Sequence, residues 1–284
     1  MRLILSILII LFLSTIIDLS HATDNRMRKA DLDNILVVKT DRGEFLIELA
    51  VEFAPNHAKH MKKLSREGFF DNRVFYRVIE NFIAQTGSGD DIANERNKNL
   101  DKLIDAEFTR SMTTDFEFTS TGHGDAYASE TGFSRGFPVG VDNKNELAWI
   151  THCPGTIGMA RKNNANSGGT DWYIVIGQSP RHLDRNITVF GRVIDGLEVV
   201  QSMPHGMFPT NNIESDNGKT GGVIVSVRVL SDLKERITIL IENTQSEYFS
   251  RRLESKKNRT HEWFIYTPPI IVDICTMNIR VQIN

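Results

Sequence analysis

The sequence predicts a mostly β protein, built as a closed eight-stranded antiparallel barrel capped by two helices. Runs of β-branched and aromatic residues recur along the chain, short turn signals separate neighbouring runs, and only two segments before residue 230 have helical character. Eight antiparallel strands are about the number at which a barrel closes with its interior just filled by side chains.

The elements follow in order. Ile35–Thr40 and Glu44–Leu49 are β-rich runs separated by Asp41-Arg42-Gly43, a short hairpin turn. Pro55 opens a helix with Ala58, Met61 and Leu64 as its apolar stripe, and Gly68 is placed to end it. Val74–Val78 and Phe82–Thr86 read as two further strands. Beyond a long middle segment come strands at Thr156–Ala160, Trp172–Ile176 and Thr188–Val193, a short helix near Gly196–Met203, and a strand at Val223–Leu230.

Composition narrows the function classes. Of 284 residues, 33 are Lys or Arg and 36 are Asp or Glu, leaving a net charge of −3. A general nucleic-acid surface needs a basic excess, so no nucleic-acid partner is expected. The two cysteines, Cys153 and Cys275, exclude a disulfide-dense scaffold and a four-thiolate zinc site. Arg2, the apolar run Leu3–Ile17 and the small residues of Ser20-His21-Ala22 have the form of a secretory signal peptide over residues 1–22. The run spans about 22 Å as a helix against roughly 30 Å of hydrocarbon, so cleavage is expected and no stable membrane insertion after it. Export means an oxidising compartment, periplasmic in a bacterium and secretory otherwise, where one bridge between the two cysteines can form. Sequence leaves open whether their Cα atoms lie close enough.

Two motif regions go further. Phe75-Tyr76-Arg77-Val78-Ile79-Glu80-Asn81-Phe82-Ile83-Ala84-Gln85-Thr86-Gly87 places Arg77, Phe82 and Gln85 on neighbouring strands. The second comprises Pro154–Arg161, Asp171–Gly177, His182-Leu183-Asp184 and Val189–Val193. In order and spacing these segments resemble the cyclophilin family of peptidyl-prolyl cis-trans isomerases, over Ile35–Leu230 apart from a long insertion. The resemblance implies an enzyme that needs no cofactor or metal and acts on proline-containing polypeptide clients. It implies Arg77 and Gln85 as catalytic residues and Phe82, Met159, Tyr173 and Leu183 as the proline pocket, with Ile83 beside it. The Ala160-Arg161 backbone would bind the peptide in extended form.

Chemistry gives Arg77 a purpose. Rotation about an X-Pro bond is opposed by a barrier of about 20 kcal/mol because the prolyl nitrogen donates its lone pair into the carbonyl. A guanidinium can donate a hydrogen bond to that nitrogen in the twisted state, and it stays charged at physiological pH.

The sequence departs from the family pattern within the site. Asp171 stands where glutamine is usual and offers a carboxylate to Arg77 or Arg161; Tyr173 replaces a phenylalanine. His182 takes the place of a tryptophan associated with cyclosporin binding, and Ile187 that of a histidine at the pocket rim. Cyclosporin sensitivity is therefore not expected. A peptide-binding or chaperone-like module with little turnover is the alternative function.

The remaining organisation is an N-terminal linker over 23–34, an insertion at about 88–147 and a C-terminal extension over 231–284 that packs on the barrel. The insertion is expected to carry a strand around Ala106–Phe118 and to cover or extend the substrate groove. In the extension, Ile237–Ile241 reads as a strand, Glu247–Arg259 as a basic helix with one solvated face, and Ile270–Ile283 as extended chain. His57 and His60 are expected on a solvated helix face, and His152-Cys153 side chains should point to opposite sides. A monomer is expected.

Overall fold

A computed structural model describes residues 25–89, 103–208, 221–234 and 237–284. The segment read as a signal peptide lies outside the described residues.

In chain order the strands are β1 (Met27–Lys29), β2 (Ile35–Thr40), β3 (Gly43–Leu49), β4 (Phe75–Ile79), β5 (Ile83–Thr86), β6 (Arg110–Ser111), β7 (Thr119–Ser120), β8 (Glu130–Ser134), β9 (Phe137–Asp142), β10 (Leu147–Ile150), β11 (Thr156–Met159), β12 (Trp172–Val175), β13 (Val189–Asp195), β14 (Gly206–Met207), β15 (Ile224–Val229), β16 (Ile239–Glu242) and β17 (Val281–Ile283). The helices are α1 (Pro55–Arg66), α2 (Leu197–Gln201) and α3 (Glu247–Lys257).

Eight of these strands form one strongly curled antiparallel sheet in the order β4-β5-β12-β11-β13-β3-β2-β15, with β14 added outside β4. The two ends of the curl meet at a narrow seam. Val74 bridges Val223, Phe75 N donates to Gly222 O at 2.9 Å, and Ile224 N donates to Arg73 O at 2.7 Å. The eight strands expected from sequence are those of the curled sheet.

Alternation explains why its strands are apolar on both faces. Along β2 and β3, Leu36, Val38, Phe45 and Ile47 turn into the interior with Phe75, Trp172, Ile174 and Phe190. Ile35, Val37 and Leu46 turn outward and are covered by Ile239 and Ile241. The cover is a three-stranded sheet in the order β1-β16-β17. The segment read as an N-terminal linker thus contributes β1 to this layer, and its Arg28 joins Arg192 on the carboxylate of buried Glu48.

Helix α1 closes one end with Ala58, Met61 and Leu64. Ala54 cannot cap it, so Glu107 does: its carboxylate accepts from the Asn56 and His57 backbone N–H groups at 3.0 Å each. The same carboxylate holds His57 Nδ1 at 2.6 Å, and His60 Nε2 donates to Gly169 O at 2.9 Å. The solvated face expected for these histidines is therefore corrected: His57 is buried and His60 half-buried.

The insertion builds a five-stranded sheet, β6-β10-β9-β8-β7. Val139, Val141, Ala148 and Ile150 pack on Ala50, Phe53 and Val189 of the barrel. The strand expected over Ala106–Phe118 shrinks to β6, because its aromatic residues turn to different partners: Phe108 lies under Arg161, and Phe116 lies between Phe53 and Phe118. The C-terminal extension reaches both layers. Phe249 and Leu253 of α3 pack on Phe133 of β8, together with Cys153, Val272, Ile274 and Met277. The face expected to be solvated is partly engaged, since Arg252 binds buried Glu242. Among the described residues no helix is long and apolar enough to cross a membrane.

Cys153 and Cys275 are bridged, with Cα atoms 5.0 Å apart and a sequence separation of 122. In the chain-entropy view a loop of this length contributes about 4 to 5 kcal/mol before native strain is subtracted. Replacing both cysteines with serine should lower stability by about 2–5 kcal/mol, measured by urea unfolding as a drop in midpoint, with a steeper slope as the released chain exposes more surface.

Candidate functional site

The site forms on the outer face of the sheet, where β4, β5 and β12 run side by side. Arg77 pairs with Gln85 across β4 and β5, and Gln85 pairs with Tyr173 across β5 and β12. The register slips between Phe75 and Arg77, leaving Tyr76 as an extra residue in β4. In a regular strand neighbouring side chains point to opposite faces, whereas a bulge re-aims them. Here Tyr76 and Arg77 both reach the side chain of Gln85.

The resulting hydrogen bonds run in one direction. Asp171 is a carboxylate and only accepts, so Tyr76 Oη donates to its Oδ1 at 2.8 Å. The same phenol oxygen accepts from Gln85 Nε2 at 2.5 Å, which turns the Gln85 amide oxygen toward Arg77 Nη1 at 2.9 Å. Burial, with Asp171 beside it, pushes the Tyr76 phenol well above its ordinary value, so it remains a donor. Asp171 is further held by Ser88 Oγ at 2.7 Å, Gly89 N at 2.8 Å and Thr170 Oγ1 at 3.0 Å. The carboxylate offered by sequence to Arg77 or Arg161 is thus bound to neither. Arg161 spends its donors on the carbonyls of Asn186 and Lys162, at 2.8 Å each.

An apolar cluster lies beside Arg77. Ile83, Tyr173 and Val175 are buried in it, and Phe82, Ala160, Leu183 and Ile187 pack around them, half-buried. Phe82 is presented by the β4–β5 turn, with Asn81 at φ +55°, and its ring centroid stands 5.8 Å from the Arg77 guanidinium carbon. Gly177 allows this turn to sit close, since a Cβ there would lie 2.3 Å from Asn81 Cα. Met159 is placed differently: it is buried in the barrel core with Met61 and Phe190, not in the cluster beside Arg77. His182 is exposed next to Leu183.

Sequence reasoning missed four participants. Tyr76 and Ser88 were unassigned, and their parts depend on the bulge and on a contact across the sheet. His152 and Asp184 lie beneath the cluster: Tyr173 Oη is 3.0 Å from His152 Nε2, and His152 Nδ1 is 2.9 Å from Asp184 Oδ1. The available signal was the Tyr173 hydroxyl itself, because a buried phenol needs a partner. The insertion meets the site region through Phe108 under Arg161 and through Asp125, which binds Arg181 at 2.6 Å. Among the described residues no group of three or more His, Cys, Asp or Glu side chains is placed to hold a metal.

Comparison with known proteins shows the family of the chain. Residues 35–229 match a protein-family model described as "Cyclophilin type peptidyl-prolyl cis-trans isomerase/CLD". A probable peptidyl-prolyl cis-trans isomerase of Brucella suis biovar 1 is 30% identical over 207 residues, covering 72% of this chain and 87% of that protein. A Dictyostelium discoideum peptidyl-prolyl cis-trans isomerase, cypE, is 27% identical over 180 residues, 63% of this chain and 89% of its own length. The crystal structure of the cyclophilin AquaCyp293 from Hirschia baltica is similar at a TM-score of 0.73 with 29% identity, covering 93% of this chain and 95% of the other.

The hydrogen-bond chain makes a prediction for Tyr76→Phe. Without the hydroxyl, Gln85 loses its anchor to Asp171 and Arg77 its fixed orientation. Catalytic efficiency on a proline substrate should fall about three- to tenfold, equivalent to roughly 1 kcal/mol of barrier, with the fold intact by circular dichroism.

Proposed function

Because the chain belongs to the cyclophilin-type peptidyl-prolyl cis-trans isomerases, we propose that Arg77 is its catalytic group and that it assists the folding of exported proline-containing proteins. The observation that carries the proposal is a guanidinium aimed by a neutral amide at the edge of an apolar pocket.

The reaction breaks no covalent bond. In the planar ground state the prolyl nitrogen lone pair is delocalised into the carbonyl; at the twisted geometry it returns to the nitrogen, which then accepts a hydrogen bond. Arg77 supplies that bond only when the lone pair is available, so it stabilises the transition state more than either planar isomer. The pocket of Phe82, Ile83, Tyr173, Leu183 and Ile187 holds the proline ring while the residue before it turns. Gln85 orients the guanidinium and has amide hydrogens to offer the substrate carbonyl. Since Asp171 is occupied by Tyr76, Ser88, Gly89 and Thr170, no carboxylate among the described residues pairs with the arginine, which favours turnover over passive binding.

The clients are polypeptides with accessible X-Pro bonds, and specificity beyond proline belongs to the exposed surroundings of His182 and Arg161. Two features support export: the charged, apolar and small-residue order of residues 1–22, and the Cys153–Cys275 bridge, which persists in oxidising compartments. The compartment is periplasmic if the source is bacterial.

Arg77→Ala should lower catalytic efficiency in a protease-coupled proline-peptide assay by about 10²- to 10³-fold, with peptide affinity changed far less. Arg77→Lys should recover little, since a point charge lacks the planar fork. Equal rates for wild type and Arg77→Ala would leave the peptide-binding alternative. Export is checked separately: the secreted or periplasmic protein should begin at Thr23, and an unprocessed chain retained in the cytoplasm would refute it.

A further inference from the structure

We infer that His152 is a positioning residue of the proline pocket, acting through the hydroxyl of Tyr173. The inference rests on the proposal that the Tyr173 ring forms a wall of that pocket.

The geometry orders the donors and acceptors of the chain. Asp184 is buried, and burial alone would raise its carboxyl; the hydrogen bond from His152 and the charge of Arg181 outweigh this and hold it below the usual carboxylate range. As an anion it only accepts. Its Oδ1 takes both His152 N and His152 Nδ1, each at 2.9 Å, and its Oδ2 takes Arg181 Nε at 2.5 Å and Trp149 Nε1 at 3.3 Å. The imidazole proton therefore sits on Nδ1, and Nε2 presents a lone pair. Burial, with Asp184 nearby, pushes the Tyr173 phenol far above its ordinary value, so it keeps its proton and donates to Nε2 at 3.0 Å. The two rings are stacked at 6.3 Å with planes 21° apart.

The ring has no slack on its other side. A Cβ on Gly158 would lie 2.5 Å from both Cζ and Oη of Tyr173, so the phenol lies directly on the β11 backbone. Glycine removes the obstacle and His152 supplies the acceptor. Together they turn the hydroxyl away from the pocket and leave a ring face toward it. His152 is in turn anchored from outside the barrel: the neighbouring Cys153 is bridged to the C-terminal extension, and the insertion supplies Trp149 and Asp125 around Asp184 and Arg181.

Without an acceptor at His152 the buried hydroxyl is left unpaired, and turning the ring toward the pocket would restore a partner in solvent. Rotation toward it would narrow the space for proline. The interaction is made equally in ground and transition states, so its loss weakens binding and spares the rate at saturation.

The test measures affinity for an Ala-Pro-containing peptide, together with the catalysed exchange rate at saturating peptide by NMR. His152→Leu should weaken affinity about tenfold and leave the saturated rate within about twofold of wild type. His152→Gln, whose amide oxygen can accept from the phenol, should stay within about threefold. The double variant His152→Leu/Tyr173→Phe, with both polar partners removed, should return to within about twofold of wild-type affinity. If His152→Leu does not fold alone, His152→Ala takes its place, again singly and with Tyr173→Phe. Wild-type affinity in the single variant, or no recovery in the double variant, overturns the inference, as does a loss of stability with affinity unmoved. A wild type that neither binds nor turns over the peptide removes the proposed function as well; a wild type that does both while His152→Leu matches it removes this inference alone.

Discussion

The interior of an eight-stranded barrel is just large enough to be filled by its own side chains, and here Phe45, Phe75, Trp172 and Phe190 fill it. The candidate site lies on the outer surface, where water competes for hydrogen bonds. A guanidinium on such a surface is mobile unless something holds it. Holding it with a carboxylate would neutralise the charge that the proposed catalysis requires. The protein uses an amide instead, and satisfies that amide through a phenol that is itself anchored to Asp171. The negative charge is three hydrogen bonds removed from the arginine, with two neutral groups between them.

The pocket wall repeats this arrangement. Tyr173, His152 and Asp184 again place a neutral donor and a neutral acceptor between an aromatic surface and a buried anion, with Arg181 balancing the anion. In each case one face of a working side chain is left free while its polar end is occupied. The insertion and the C-terminal extension belong to this support, since they enclose Asp184 and bury the bridge next to His152.

How far this was legible in the sequence depends on the range of the interactions. Barrel strands announce themselves because alternation is local, and the extra layer over β2 and β3 accounts for runs such as Ile35–Val38 that are apolar on both faces. Arg77, Phe82 and Gln85 stand out because the motif keeps their spacing. The Tyr76 bulge does not, because a two-against-one pairing is a property of both strands. The insertion sheet was hidden by its composition: β8 reads Glu-Thr-Gly-Phe-Ser, and β9 holds Pro138 opposite Phe133. His57 looked solvated because its partner, Glu107, lies about fifty positions away. Met159 fitted the pocket by spacing, yet its side chain turns inward to the barrel core.

The seam between Val74 and Val223 has a consequence for how the protein is made. Among the described residues, the strand bearing Arg77 has β5 on one side, and on the other this bridge, the backbone bonds of Phe75 with Gly222 and of Phe208 with Tyr76, and the two residues of β14. A chain emerging from the ribosome N-terminus first can pair β4 with β5 early, but it cannot close the seam until Val223 has appeared. During synthesis the nascent protein is therefore an open sheet with an unpaired edge beside its arginine. Closure of the curled sheet is therefore a late event in synthesis, set by topology.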